Sequence, residues 1–226
     1  MKLFLSGGGS GEQSRLLDKN FIETVDQAKP VLYIPIAIDP SKHPYPECLE
    51  WLRNNFAFSG FNNFTMWTEE DLHQKSLQDF EQFSGIYVGG GNTFKLLKEL
   101  REFGILEILE SLAKKGTPIY GGSAGALIFA ETIVTAAPYD SNENDLTDLK
   151  GINLARGHSI WVHYDDSMDS LIQQFLLKYN LQTVIAIPED AGLLLTDTDI
   201  VVTGLSGISI FTADNNKTSV MPGQFI

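Results

Sequence analysis

Ser123 lies in Gly121-Gly122-Ser123-Ala124-Gly125, a Gly-x-Ser-x-Gly pattern between the apolar run Thr117–Gly121 and the helix-forming run Ala124–Ala130. A strand that turns abruptly into a helix holds its turn residue on strained backbone. The serine hydroxyl is then presented above the carboxyl ends of the strands, and small neighbours are needed to avoid clashes. The Ala124 amide, in the first turn of that helix, suits a developing negative charge. The chemistry this points to is nucleophilic acyl transfer. A glycine-rich turn with no catalytic work is the competing reading of the same five residues.

A serine nucleophile needs a base, and the chain has 4 histidines. His43 and His73 fall in polar stretches upstream. His163 ends the apolar run Ile160-Trp161-Val162, whereas His158 sits in the turn-like Arg156-Gly157-His158. Either could serve Ser123, with His163 favoured by its strand-end position. An acid must orient the imidazole. Glu189, in Ile187-Pro188-Glu189-Asp190, follows a strand-like run, and Asp140, Asp145, Asp148, Asp165 and Asp166 compete with it. A second glycine turn, Gly89-Gly90-Gly91 before Asn92-Thr93-Phe94, exposes amides suited to a phosphate or a tetrahedral oxyanion. It matches neither the phosphate-loop nor the dinucleotide pattern. A third, Ser6-Gly7-Gly8-Gly9-Ser10-Gly11, reads as a flexible turn lining the cleft. No metal-ligand motif is present, and neither metal nor cofactor is expected.

Val88-Gly89-Gly90-Gly91-Asn92-Thr93-Phe94-x-Leu96-Leu97, followed by Gly122-Ser123-Ala124-Gly125-Ala126 and by a histidine about forty residues on, resembles the dipeptidase E and cyanophycinase family of serine peptidases. The resemblance implies a fold like that of the class I glutamine amidotransferases, with serine where those relatives carry cysteine. It implies Ser123 as nucleophile, His163 as base, and the amides of Gly91 and Ala124 as the oxyanion hole. For the acid it offers two contexts. Thr132–Pro138 lacks an aspartate where one is expected and Asp140 comes late, so Glu189 is favoured, with Asp140 and Asp165 as alternatives. The dipeptidase branch cleaves after an N-terminal aspartate, read by basic residues in the loop after the histidine. Here that loop is Tyr164-Asp165-Asp166-Ser167-Met168-Asp169, which is acidic. The expectation is therefore weak aspartyl activity and a preference for neutral or basic residues. The alternative is that these aspartates cap the following helix.

The elements that must position these residues alternate. Strands are expected at Lys2–Ser6, Val31–Pro35, Phe64–Trp67, Gly85–Val88 and Thr117–Gly121. Helices are expected over Arg15–Ala28, Pro46–Phe58, Thr93–Lys115, Ala124–Ala130 and Ser167–Tyr179. Four short runs, Thr183–Ile187, Gly192–Thr196, Ile200–Thr203 and Gly207–Thr212, read as the far edge of the sheet with antiparallel additions, and Pro138–Gly151 as a loop. The fold class is α/β: three layers, a mostly parallel sheet with helices on both faces, in a single peptidase domain over 1–226. With 29 acidic and 16 basic residues the net charge is −13, which argues against nucleic acid and anionic membranes. One cysteine, Cys48, allows no internal disulfide and suits a reducing compartment. The start reads as a buried strand instead of a signal peptide, and the expectation is a cytoplasmic enzyme. Its expected partner is a small peptide, neither nucleic acid nor membrane, with a homodimer left open. A small-ligand-binding protein and a serine esterase or amidase are the rival functions.

Overall fold

The structure, a computed structural model, describes residues 1–143 and 145–226. Seven strands form the larger sheet: β1 (Lys2–Ser6), β2 (Val31–Ile34), β3 (Phe64–Met66), β4 (Gly85–Val88), β5 (Pro118–Gly122), β8 (Ala191–Leu195) and β9 (Ile200–Gly204). Their order is β3-β2-β4-β5-β1-β8-β9; the first five run parallel, β8 pairs antiparallel with β1, and β9 antiparallel with β8. The parallel strands are almost wholly apolar because both their faces are covered. Leu3 and Leu5 of β1 face one layer and Phe4 the other, as a period of two requires.

On the Phe4 side lie α1 (Arg15–Ile22) and α2 (Tyr45–Phe56), which seat Leu17, Phe21, Leu52 and Phe56 against Tyr33, Tyr87 and Tyr120. On the Leu3 side lie α4 (Thr93–Glu102), α5 (Ile105–Lys114) and α6 (Ala124–Leu127); the short α3 (Glu69–Leu72) follows β3. The expected single helix over Thr93–Lys115 is two, because Gly104 adopts φ 69° and starts α5 in a new direction. Arg15–Ala28 is helical only to Ile22; the Thr24 hydroxyl donates to the Phe21 carbonyl where the chain leaves the helix.

In the C-terminal third, β8 and β9 form the expected antiparallel far edge, whereas the runs at Thr183–Ile187 and Gly207–Thr212 belong to a separate sheet. β6 (Ser159–Trp161), β7 (Thr183–Ala186), β10 (Ile208–Thr212) and β11 (Lys217–Val220) form a second sheet, ordered β11-β10-β7-β6. It packs on α7 (Asp169–Tyr179) through Trp161, Ile172, Phe175, Leu176 and Phe211. Among the described residues of 138–151 there is no helix or strand beyond a bridge between Lys150 and Thr132; Asn144, within the expected loop, lies outside them.

Candidate active site

The larger sheet delivers Ser123 and the smaller one His163. β5 ends at Gly122 and α6 starts at Ala124, leaving Ser123 between them at φ 51°, ψ −110°. A non-glycine residue held there stores strain of order 1–3 kcal/mol. The flanking glycines are required by space. A Cβ on Gly121 would meet the Gly125 carbonyl oxygen at 2.4 Å, and one on Gly125 the Val88 carbonyl oxygen at 2.2 Å.

Beyond β6 the chain reaches His163, itself at φ 53°. Its amide donates to the Gly7 carbonyl at 2.8 Å, and the Tyr164 amide to the Ile187 carbonyl at 3.1 Å. These bonds fix the imidazole above β1, with Nε2 2.8 Å from the Ser123 hydroxyl oxygen. Nδ1 lies 3.0 Å from Oε1 of Glu189, in the turn between β7 and β8. A carboxylate only accepts, so Nδ1 carries the proton and Nε2 is left to accept from the serine hydroxyl. The hydrogen bond from His163 holds the Glu189 carboxyl below the usual glutamate range, helped by Gln13, whose amide donates to Oε2 at 3.2 Å.

The N-terminal glycine turn has a definite task that sequence reading missed. Gly8, at φ 112°, lies flat against the imidazole; a Cβ there would be 2.2 Å from Cε1 of His163. The turn is pinned by the Gly7 amide on the Ala191 carbonyl (3.1 Å) and the Gly9 amide on the Glu189 carbonyl (3.2 Å). Further along, the Asn55 side chain accepts from the Gly11 amide at 2.6 Å and donates to buried Asp18 at 3.1 Å.

The second glycine turn stands opposite. A Cβ on Gly90 would lie 3.2 Å from Cβ of Ser123, and Gly91, at φ 135°, would meet the Ala37 carbonyl oxygen at 2.4 Å. Lys95 braces the chain behind it, donating to the carbonyls of Ile36 (2.6 Å) and Ile38 (2.9 Å) and to Glu69 (3.0 Å). Among the described residues, the N–H groups of Gly91 and Ala124 donate to no protein acceptor. They are available to a ligand oxygen beside Ser123.

The alternative acids are engaged elsewhere. Asp140 accepts from the amide (2.8 Å) and hydroxyl (2.6 Å) of Thr93 at the start of α4. Asp165 accepts from the amide (2.8 Å) and hydroxyl of Ser167. The acidic loop is partly compensated: Lys217 of β11 lies 2.8 Å from both Asp166 and Asp169, and Asp165 has no cation among the described ion pairs. Arg156 turns to the carbonyls of Thr196 and Thr198, in the β8–β9 turn. His158 pairs with the Thr183 hydroxyl at 2.5 Å, and burial lowers its pKa. Among the described residues no group of three His, Cys, Asp or Glu side chains is placed to hold a metal, and no helix is long and apolar enough to cross a membrane.

The sequence model of peptidase family S51 matches residues 3–203. The chain belongs to peptidase family S51. Peptidase E of Actinobacillus pleuropneumoniae serotype 5b (strain L20) is 30% identical over 144 residues, 58% of this chain and 59% of that protein, so the chain spans less than two thirds of this curated relative. Peptidase E of Nostoc sp. (strain PCC 7120) is 26% identical over 216 residues, 90% of this chain and 84% of that protein. Among solved structures, a peptidase from an acI-B1 Actinobacterium superposes with a TM-score of 0.71 at 17% identity, over 100% of this chain and 96% of that one. A likeness at that identity speaks for the fold alone. The family match bears out the resemblance read from the glycine turns and the serine elbow.

Proposed function

We propose that this S51 chain is a serine peptidase of the peptidase E type, hydrolysing small peptides through an acyl-enzyme on Ser123. The observation that carries the reading is the linear relay of Ser123, His163 and Glu189, with contacts of 2.8 and 3.0 Å. In this mechanism His163 Nε2 takes the hydroxyl proton as Oγ attacks the peptide carbonyl. The amides of Gly91 and Ala124 stabilise the oxyanion that forms. Glu189 keeps the proton on Nδ1 and stabilises the imidazolium. His163 then gives its proton to the leaving amine, and water attacks the ester by the reverse of the first step.

Charge supports a small, uncharged or cationic substrate over nucleic acid, since the net charge is −13. We read 1–226 as one peptidase domain, because neither sheet carries the relay without the other. The single buried thiol of Cys48 accords with a cytoplasmic setting. A dipeptide library assayed with wild type and Ser123→Ala tests the proposal. Hydrolysis lost in a folded Ser123→Ala protein supports it; hydrolysis retained there overturns it.

A further inference from the structure

Beside the serine lies a cavity of about 450 Å³ that the mechanism above does not use. Gly90 and Gly91 form its inner edge, next to Ser123. Its lining comes from the β2–α2 loop and α2, with Ile38, His43, Glu47 and Trp51 over the buried Tyr33 and Cys48. Sites of this volume hold small organic groups. Trp51 is 45% exposed although it is the largest side chain of its helix, whereas Trp67 and Trp161 are 7% and 0% exposed. An indole left open in a cavity that Gly90 joins to Ser123 offers an apolar face to a substrate side chain.

The charge of this cavity is also one-sided. Among the described residues neither lysine nor arginine lines it, and its one basic side chain is the imidazole of His43. Lys42, Lys95 and Lys98 line the adjoining cavity instead, where Lys95 is held by the Ile36 and Ile38 carbonyls. Glu47 is in none of the ion pairs among the described residues. A substrate carboxylate here would lose water, find neither lysine nor arginine, and face Glu47, which disfavours it.

Resting on the serine peptidase reading, we propose that this cavity is the specificity pocket for a substrate residue flanking the scissile bond. It takes an aromatic or branched aliphatic side chain against Trp51 and Ile38, and Glu47 excludes aspartate and glutamate. Its basis differs from the acidic loop after His163, where Asp166 and Asp169 share the single ammonium of Lys217.

Two measurements test it. In the first, kcat/KM is compared for Phe-Ala, Ala-Ala and Asp-Ala. Wild type should favour Phe-Ala; Trp51→Ala should lower the Phe-Ala to Ala-Ala ratio by about tenfold or more, and Glu47→Lys should raise the Asp-Ala to Phe-Ala ratio by about tenfold. In the second, Phe-Ala is titrated into Ser123→Ala while tryptophan emission is followed. A saturable change that is absent with Asp-Ala, and lost in Ser123→Ala/Trp51→Phe, supports the pocket even if wild type hydrolyses nothing, in which case only the peptidase reading falls. An unchanged ratio in Trp51→Ala, a wild-type preference for Asp-Ala, or no response of Trp51 to Phe-Ala overturns the pocket.

Discussion

Gly8→Ala is a substitution of one methyl group that should disable the relay without touching a reacting atom. The added Cβ would sit 2.2 Å from Cε1 and 2.6 Å from Nε2 of His163. Carbon atoms rest at about 3.5–4.0 Å, so turn and ring must separate by more than 1 Å. The turn cannot easily retreat, since Gly7 and Gly9 are bonded to Ala191 and Glu189 and the Gly7 carbonyl takes the His163 amide. The imidazole is therefore the part that moves. Its 2.8 Å contact with Ser123 is close to ideal, and a displacement of about 1 Å costs on the order of 10²-fold in rate. Alanine at φ 112° adds backbone strain of about 1–3 kcal/mol, visible as a lower midpoint in urea. The assay is kcat on the best dipeptide from the library, alongside a urea melt to show that the variant is folded. A folded Gly8→Ala enzyme with kcat within about threefold of wild type would refute the claim that this turn positions the base.

Three further outcomes are expected. Glu189→Gln should lower kcat by about 10²-fold with little change in stability, because it unsettles the His163 tautomer at a half-exposed site; equal kcat would remove Glu189 from the relay. Asp140→Asn should do the reverse, costing about 1 kcal/mol in thermal stability by weakening the start of α4 while keeping kcat within a few-fold, and a 10²-fold loss would make Asp140 the better acid. Burial raises the Asp18 carboxyl from 3.8 to about 6, worth about 3 kcal/mol. A raised pKa means the folded chain holds the proton more tightly, so that stability is fully present below about 3.8 and is lost as pH rises through 6. Asp18→Asn should flatten urea stability between pH 4 and 7, and an unchanged slope would show that Asp18 does not titrate as described.

The elbow was legible because its geometry is local: only small residues fit at Gly121 and Gly125, and a strand-like run meets a helix-like run at Ser123. His163 and Glu189 were legible as polar residues ending apolar strands, though choosing Glu189 over the aspartates also leaned on a family resemblance. What was hidden depends on contacts between distant residues. Lys217 reaches Asp166 across 51 positions of chain, so a loop that reads as uncompensated acid carries a cation that local sequence cannot reveal. Gly8 reads as a flexible turn until the imidazole is placed on it. The second sheet was missed because β7 and β10 look the same in sequence whether they extend one sheet or found another. Gly104 was read through because a single glycine costs a helix only about 1 kcal/mol, less than the apolar periodicity on either side suggests.

The central claim is that Ser123 is an activated nucleophile, and covalent labelling tests it most directly. A serine-directed phosphonate should add one equivalent of mass to the wild-type chain, mapping to the peptide that contains Ser123. Ser123→Ala should take up none, and His163→Ala should react far more slowly because nothing accepts the hydroxyl proton. Stoichiometric labelling at another residue, or equal labelling of folded Ser123→Ala, would contradict the account.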